Sequence, residues 1–364
     1  MDNYRPLPGT LLEDLDTPSL IVDLDALDYN LQSVSDLYKD TDCKMRQHTK
    51  NIKSPRLALR QINKGGTVGG VCTAKLSEAE VMVEGGINDV LIPNQVVHSD
   101  KISRMCALAR QADIKVCVDN IENVKMISSI ASKNSVEIGI LIEVDTQMGR
   151  AGVRSNEEGV AIAKLTQDLP GVKFKGVMSH QSLPEFIDQE DRWQVGRDTI
   201  QICLDVKNAI EQEGIPVEIV SSGETFTIDV ATDIPGVTEV EGGSYALMGH
   251  TYDYMGYKLA NKILTTVISN PSDCKFIGDV GTLAHSWTGF GPTVYSRPDV
   301  KVDKFRENHV VFTTDKSDSL AIGDKLLLEP HYQDMLVNRW DQYICIRNGI
   351  VEEVWDIPGR GCTQ

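Results

Sequence analysis

The sequence has 364 residues, of which 41% are hydrophobic and 24% charged, so the chain is long enough for two domains and too apolar to be intrinsically disordered. Its 53 acidic and 36 basic residues give a formal charge of −17, which argues against non-specific binding to nucleic acid or anionic lipid. The sequence shows no apolar run of about 18 residues and no signal-peptide core, so no membrane span is predicted.

The first two-thirds of the chain alternate strand-like apolar runs with helix-like stretches. Nine runs follow in chain order: Ser19–Val22, Lys44–His48, Thr67–Ala74, Asp89–Pro93, Lys115–Asp119, Glu137–Asp145, Lys173–His180, Val217–Ser221 and Thr238–Glu241. The predicted helices are Leu24–Tyr38, Pro55–Lys64, Lys75–Glu84, Asp100–Ala112, Glu122–Ser132, Asn156–Asp168 and Arg192–Glu213. This alternation is typical of a parallel sheet covered by helices. Eight or more units in about 230 residues favour a closed (β/α)8 barrel of the TIM type over an open sheet.

The pattern changes after about residue 255, where strands follow one another without long helices. The strand-like segments are Lys262–Ser269, Lys275–Asp279, His309–Thr314, Lys325–Glu329, Tyr343–Arg347 and Ile350–Asp356. Asn348-Gly349, between the last two, predicts a hairpin turn. We therefore predict an N-terminal segment over residues 1–18 that packs on the β domain, a barrel over 19–254 and a β-rich C-terminal domain over 255–364.

The eight cysteines are scattered through the chain without a Cys-x-x-Cys spacing. Several lie inside apolar runs, as Cys117 does in Lys-Val-Cys-Val-Asp. Such cysteines are typical of reduced, buried thiols, and we expect a cytoplasmic protein.

Polar residues follow several of the predicted barrel strands, where a (β/α)8 barrel carries its functional groups. Two late loops, 221–225 and 241–245, are rich in Ser, Gly and Thr and are suited to hold a phosphate with backbone N–H groups. Lys50, at the end of an early strand, is suited to form a Schiff base if it is desolvated. From these residues alone, an ordinary turn and a solvated surface lysine stay open as alternatives.

The combination of motifs resembles one enzyme family. The block Arg46-Gln47-His48-Thr49-Lys50 is similar to the Arg-Pro-His-x-Lys block of the D-threonine aldolase and D-serine dehydratase family, with Gln47 in place of proline. Further matches follow in the same order: Glu143-x-Asp145, Gly149-Arg150, Ser222-Gly223-x-Thr225, Gly243-Ser244-Tyr245 and Asp279-Val280-Gly281. The resemblance covers about residues 15–360. It implies a pyridoxal 5'-phosphate (PLP) enzyme with the alanine-racemase-like barrel of fold type III.

The resemblance implies roles for individual residues. Lys50 matches the lysine that holds the cofactor, and Lys53 is the competing amine. Arg150 matches a polar residue near the cofactor or substrate carboxylate, and His180 a residue that faces the cofactor ring. The implied phosphate loops and their neighbour are Ser222, Gly223, Thr225, Gly243, Ser244 and Tyr245. Glu241 occupies the place where racemases have an arginine beside the pyridine nitrogen, although its side chain could instead point to solvent.

A metal site is the point where the sequence departs from the family it resembles. Such enzymes carry a His-x-Asp or His-x-Cys pair between a proline and a Val-Asn anchor. Here both anchors are kept, at Pro330 and at Val337-Asn338, but Tyr332 takes the histidine position and His331 stands one residue early. We still expect His331 and Asp334 to bind one divalent cation, Mg, Mn or Zn. A Tyr332–Asp334 hydrogen bond without an ion is the alternative.

The implied function is a PLP-dependent lyase acting on a β-hydroxy D-amino acid. Retro-aldol cleavage to glycine and an aldehyde is favoured, because relatives with Asp as the second ligand are more often aldolases. His309 and His331 are the candidate bases. The alternatives are a dehydratase of the D-serine or 3-hydroxyaspartate type, an amino-acid racemase, and a non-catalytic PLP-binding protein.

The resemblance also implies a homodimer. In relatives the β domain of one subunit covers the barrel mouth of the other, and the stretch around His285–Tyr295 is the candidate covering loop. Closed two-fold symmetry is in addition the commonest form of soluble oligomer.

Overall fold

The computed structural model describes residues 4–181, 188–286, 290–316 and 319–364. Contacts between residues divide the chain into two compact units. The barrel unit comprises Gln32–Lys50, Pro55–Gly243 and Cys362–Gln364, and the sheet unit comprises Met1–Leu31, Asn51–Ser54 and Ser244–Gly361. Among the described helices, none has the length and apolar character needed to cross a membrane.

The chain begins with strand β1 (Ser19–Asp23) and helix α1 (Leu24–Tyr38) and then enters a closed barrel of eight parallel strands. The barrel strands are β2 (Lys44–His48), β3 (Thr67–Cys72), β4 (Asp89–Ile92), β5 (Asp113–Val118), β6 (Ile138–Val144), β7 (Val172–Ser179), β8 (Ile219–Ser222) and β9 (Glu239–Val240). The helices between them are α2 (Pro55–Lys64), α3 (Leu76–Glu84), α4 (Ser99–Leu108), α5 (Ile121–Lys133), α6 (Asn156–Asp168), α7 (Gln189–Gln212) and α8 (Ile228–Ala231). The predicted (β/α)8 barrel is confirmed.

The barrel strands form because their side chains are buried on both faces. All seven residues of β6 are buried, as expected for a parallel strand between helices and a filled interior. The interior holds an apolar cluster of Leu91, Cys117, Leu141 and Met178. Strands β7 and β8 approach so closely that a Cβ at Gly176 would lie 1.8 Å from the carbonyl oxygen of Ile219, which requires glycine there.

An ion-pair network lies inside the barrel near the amino ends of the strands. The Arg46 guanidinium donates to both carboxylate oxygens of Glu239, at 2.7 and 2.9 Å, and its Nη1 donates to Asp89. Lys115 Nζ lies 3.2 Å from the same Asp89 carboxylate. Arg46 and Glu239 are both buried. Two charges at this depth are favourable only as a well-matched pair, so the network ties β2 to β9 and to β4.

The sheet unit is built on a nine-stranded mixed sheet. Its later strands are β10 (Asn261–Ser272), β11 (Lys275–Gly278), β12 (Thr293–Val294), β13 (Val300–Phe305), β14 (Val310–Thr314), β15 (Lys325–Glu329), β16 (Gln342–Arg347) and β17 (Ile350–Asp356), with the short helix α9 (Asp334–Val337) before β16. Its core gathers residues distant in sequence: Leu15, Ile21, Leu264, Ile344, Ile346 and Val351. The predicted β-rich C-terminal domain is confirmed. Asn348 and Gly349 have φ of 52° and 75°, which suit the predicted hairpin turn.

Strand β1 corrects the predicted start of the barrel at residue 19. It pairs antiparallel with β10 and parallel with β16, so it belongs to the sheet unit, and the barrel begins with β2. A four-residue apolar run is compatible with any buried strand, and its pairing partners lie more than 200 residues away. The sequence pattern does not predict strands β12 and β13, because β12 has two residues and β13 has one buried residue among its six.

The N-terminal segment hydrogen-bonds within the sheet unit. The backbone N–H of Gly9 donates to the carbonyl of Val351, and that of Leu12 to the carbonyl of Gly349, each at 2.8 Å. All eight cysteines are free, and six of them are buried, whereas Cys274 is exposed and Cys362 partly so.

We predict that the buried Arg46–Glu239 pair contributes far more to stability than an exposed pair of similar geometry. Arg46→Met leaves Glu239 buried without its main partner and is expected to cost about 3–5 kcal/mol. The control is Arg104→Met, which breaks an exposed two-point pair with Glu80 and should cost about 0–1 kcal/mol. Urea unfolding of both variants followed by far-UV circular dichroism measures the difference, and equal losses would contradict the prediction.

Candidate active site

Lys50 lies directly after β2, in a short 3-10 turn over Thr49–Asn51. Its side chain is half-buried, and its backbone N–H donates to Nδ1 of His48 at 3.3 Å. Because Nδ1 accepts this hydrogen bond, the His48 side chain stabilises the turn that carries Lys50. A lysine at the carboxyl end of a barrel strand lies where barrel enzymes carry their reactive groups.

His180 and Arg150 lie near Lys50 in the barrel unit. Burial, followed by the positive charges of Lys50 and Arg150, lowers the pKa of His180 to about 3. The imidazole is therefore neutral at physiological pH. Thr146 donates to the carbonyl of His180 at 2.6 Å, which links the ends of β6 and β7. The structure thus brings together three residues that the sequence placed on three different strand ends.

Arg150 is oriented by a buried carboxylate. Its Nη2 lies 3.2 Å from Oε1 of Glu143, while Gln95 donates to the other oxygen of the same carboxylate. Glu143 is buried, but the Arg150 side chain is 48% exposed. An arginine held at one nitrogen and open to solvent is suited to bind the carboxylate of a small substrate.

The predicted phosphate loops lie at the ends of β8 and β9. Gly223 has a φ of +129°, and a Cβ there would lie 3.0 Å from Thr227 Oγ1, so the turn requires glycine. Thr225 begins a short 3-10 turn, and its hydroxyl accepts from the Gly243 N–H at 3.4 Å, which joins the two loops. The Ser222 hydroxyl lies 2.7 Å from that of Ser179. Backbone N–H groups in such glycine-containing turns are suited to bind phosphate.

Ser244 and Tyr245 belong to the sheet unit. Ser244 Oγ accepts from Asn51 Nδ2 at 3.1 Å, and its carbonyl accepts from the Met248 N–H at 2.8 Å. Tyr245 is completely buried, and its ring centroid lies 5.9 Å from that of Tyr257. Burial raises the pKa of the Tyr245 phenol well above its usual value. Tyr245 therefore packs within the sheet unit.

Glu241 points into the barrel and not to solvent. Cys72 Sγ donates to its Oε2 at 2.8 Å, and Ser221 Oγ donates to its Oε1 at 2.9 Å. Burial raises the pKa of the Glu241 carboxyl to about 7. The sequence did not reveal the partnership with Cys72, although Gly70-Val71-Cys72 ends a strand on the side that carries the other site residues.

His48, Cys72 and Glu241 form the one group of three metal-type ligands found in the described residues, with their ligand atoms within 4.8 Å of one another. Burial and the charge of Glu241 raise the pKa of the Cys72 thiol well above its usual value. A protonated thiol donates hydrogen bonds, whereas a metal ligand must be a thiolate. In this structure the Cys72 thiol donates a hydrogen bond to the Glu241 carboxylate within this group.

The predicted bases and metal ligands lie in the sheet unit. His309 lies in the exposed turn between β13 and β14. The half-buried His331 ring packs on Phe290, with ring centroids 4.7 Å apart. Asp334 accepts hydrogen bonds from Tyr332 Oη, at 2.8 Å, and from Asn51 Nδ2. The contacts shown for Asp334 are therefore those of the alternative, and they leave the cation predicted on His331 and Asp334 untested.

The sequence matches two protein families along its length. Residues 22–250 match the family described as "Alanine racemase, N-terminal domain", and residues 260–346 match the "Putative serine dehydratase domain". The first match spans the barrel, and the second spans most of the strands that follow it.

Individual relatives agree with these matches. The chain is 37% identical to 3-hydroxy-D-aspartate aldolase of Paracoccus denitrificans (strain Pd 1222), over 98% of this chain and 95% of the relative. It is 32% identical to D-threonine aldolase of Arthrobacter sp, over 98% and 96%. The crystal structure of D-threonine aldolase from Filomicrobium marinum superposes with a TM-score of 0.93 at 29% identity, covering 99% of this chain and 100% of that one. The chain therefore belongs to the D-threonine aldolase and D-serine dehydratase family of PLP-dependent enzymes with the alanine-racemase-like fold.

Proposed function

We propose that this chain is a PLP-dependent lyase that cleaves a β-hydroxy D-amino acid to glycine and an aldehyde. The observation that carries the proposal is the grouping of Lys50, His180 and Arg150 at the carboxyl ends of barrel strands. Relatives named 3-hydroxy-D-aspartate aldolase and D-threonine aldolase, similar over nearly the whole chain, support the choice of reaction.

The barrel residues fit the cofactor. Lys50 would hold PLP, and the neutral ring of His180 presents a flat, uncharged surface beside that lysine. The turn at Gly223, whose φ of +129° favours glycine, and the N–H of Gly243 would receive the phosphate. When bound, PLP supplies an electron sink for the bond broken at Cα.

Other residues of the barrel would orient the cofactor and substrate. Glu241, held by Cys72 and Ser221, would face the ring nitrogen, where a carboxylate favours the protonated ring. Arg150, held by Glu143, would bind the substrate carboxylate and so fix which bond at Cα is presented for cleavage. His309 and His331 are proposed as bases for the β-hydroxyl proton.

A dehydratase is the second candidate. The chain is 27% identical to D-threo-3-hydroxyaspartate dehydratase of Delftia sp. (strain HT23), over 77% of this chain. Such an enzyme acts on the same class of substrate but removes the hydroxyl group instead of splitting Cα–Cβ. The identity of the product therefore decides between the two candidates.

We predict that the purified enzyme releases glycine and an aldehyde from D-threonine and from 3-hydroxy-D-aspartate. The measurement is product analysis after incubation with these two substrates, D-serine and D-alanine. Keto acid and ammonia would instead indicate a dehydratase, and the L-enantiomer of alanine a racemase. A protein that binds PLP but changes none of the four would be a carrier without catalysis.

We predict that Lys50 carries the cofactor. Reduction with borohydride followed by peptide mapping should place the pyridoxyl label on Lys50, and Lys50→Ala should abolish the visible absorption of bound PLP. The matched control is Lys53→Ala. Lys53 is a buried lysine three residues away, and it belongs to the sheet unit and not to the barrel unit. A label on Lys53, or loss of the absorption band only in that variant, would contradict the assignment.

We predict a homodimer in which the sheet unit supplies much of the interface. Several large apolar side chains of this unit are exposed in the single chain: Tyr254, Leu283, Phe290, Tyr295 and Met335. Three of them fall in or beside the proposed covering stretch His285–Tyr295, of which residues 287–289 lie outside the described part of the chain. Exposed apolar side chains of this size are typical of surfaces that a partner covers.

Analytical ultracentrifugation tests the dimer. The wild type should sediment with the mass of two chains at micromolar concentration, and Phe290→Glu should shift the population towards one chain. The control is Ile322→Glu, since Ile322 is also an exposed apolar residue of the sheet unit but lies in a turn before β15. A wild-type mass of one chain would refute the prediction.

A further inference from the structure

Asp334 is held in the sheet unit by neutral hydrogen-bond donors. Tyr332 Oη donates to its Oδ2 at 2.8 Å, and Asn51 Nδ2 donates to its Oδ1. The same Asn51 nitrogen donates to Ser244 Oγ at 3.1 Å. An amide NH2 group has two hydrogens, so these two bonds use both of them. We refer to Asn51, Tyr332 and Asp334 as the Asp334 triad.

The Asp334 triad is a poor ligand set for a divalent cation. An amide NH2 group is a donor only, and a neutral phenol is a much weaker ligand than an imidazole. A cation at Asp334 would have to displace both hydrogen bonds and would gain one carboxylate in return. Divalent ions in proteins are held by several carboxylate, carbonyl or imidazole groups, whereas Asn51 and Tyr332 turn hydrogen-bond donors towards Asp334 and leave it as the one anionic ligand of the triad.

The backbone around His331 is anchored in its present register. The N–H of His250 donates to the carbonyl of Pro330 at 3.3 Å, and Thr251 donates to the carbonyl of His331 through its N–H at 3.2 Å and its hydroxyl at 2.9 Å. A Cβ at Gly249 would lie 2.6 Å from the His331 carbonyl oxygen, so the two segments are in close contact. Moving an imidazole into the position of Tyr332 by a one-residue shift would break all three hydrogen bonds.

The Asp334 triad is linked by the chain itself to the proposed cofactor residues. Asn51 directly follows Lys50, and Ser244 directly follows Gly243 in the predicted phosphate loop. Asn51 and Ser244, which hydrogen-bond to each other, are therefore the covalent neighbours of two residues that would hold PLP.

We propose that the hydrogen bonds of the Asp334 triad take the place of the divalent ion that other enzymes of this family carry. On this proposal the chain works without a cation at Asp334. Asn51 and Tyr332 do not fit a divalent cation, and they instead donate hydrogen bonds to the Asp334 carboxylate. The role of the triad in catalysis rests on the proposed lyase function. Whether a cation binds at Asp334 does not depend on that function. The two ideas can therefore fail separately.

The first test is the metal content of the holoenzyme. We expect wild type and Asp334→Asn to contain equal amounts of Mg, Mn and Zn by elemental analysis after dialysis without chelator. We also expect wild-type activity to survive EDTA treatment and desalting. One equivalent of an ion that is lost in Asp334→Asn, together with loss of activity in EDTA, would overturn the proposal and establish the site on His331 and Asp334.

The second test recreates the family's His-x-Asp pair at positions 332 and 334. Tyr332→His restores a histidine two residues before Asp334, and we expect its affinity for Mn²⁺ to rise roughly tenfold or more in isothermal titration calorimetry. The control Tyr332→Phe removes the hydroxyl without supplying a ligand and should show no gain. Equal Mn²⁺ binding by both variants would count against the proposal, because position 332 would then not govern metal binding.

Borohydride labelling of Lys50 in each variant distinguishes loss of the cofactor from loss of the metal. Retained label shows that the barrel unit is intact, so that a change in metal binding belongs to the triad. A wild type that carries PLP and no ion but releases neither aldehyde nor keto acid would refute the lyase function and leave the proposed triad supported.

Discussion

The closure of the barrel is the constraint on which the rest of the site depends. Strands β2 and β9 close the ring through two residue pairs, Lys44 with Glu239 and Met45 with Val240. So short a ladder contributes few hydrogen bonds, and the buried Arg46–Glu239 pair adds two charged ones across the same seam. Because His48 and Lys50 continue from β2, the seam also determines where the proposed cofactor lysine lies.

The interior of the barrel changes in character from one end to the other. Arg46, Glu239 and Asp89 form a charged layer, and Leu91, Cys117, Leu141 and Met178 form an apolar cluster. Above the charged layer, Cys72 and Ser221 hold Glu241, and the strand ends carry Lys50, Arg150 and His180. Burial, together with the positive charges of Lys50 and Arg150, keeps His180 neutral.

The departures from the family pattern have different structural consequences. Gln47, which replaces a proline, donates from Nε2 to the His48 carbonyl at 3.1 Å and to the Gly243 carbonyl at 3.5 Å, so it links β2 to the second phosphate loop. Tyr332 forms the hydrogen bond that satisfies Asp334. Gln47 therefore joins two segments of the barrel unit, whereas Tyr332 supplies a hydrogen bond within the sheet unit.

The sequence by itself determined the local structure and the family. Apolar runs separated by amphipathic stretches predicted the barrel, and several helices, among them Pro55–Lys64 and Asn156–Asp168, have the predicted bounds. The motif ending in Lys50 predicted the cofactor family, because its residues are neighbours in the chain. Such patterns depend on the burial and the backbone preference of a single segment. They can therefore be identified without knowing which other segments that segment contacts.

Only the tertiary structure decided which distant residues meet. The pairing of β1 with β10, the bond from Cys72 to Glu241, and the contact of Asn51 with Asp334 each join segments separated by more than 160 residues. No periodicity records such contacts, because either partner alone is compatible with many surroundings. From the sequence alone, Cys72 is interpreted only as a buried thiol, and Asp334 is predicted to be a metal ligand. The tertiary structure supplies Glu241 with hydrogen bonds from Cys72 and Ser221, and Asp334 with hydrogen bonds from Tyr332 and Asn51.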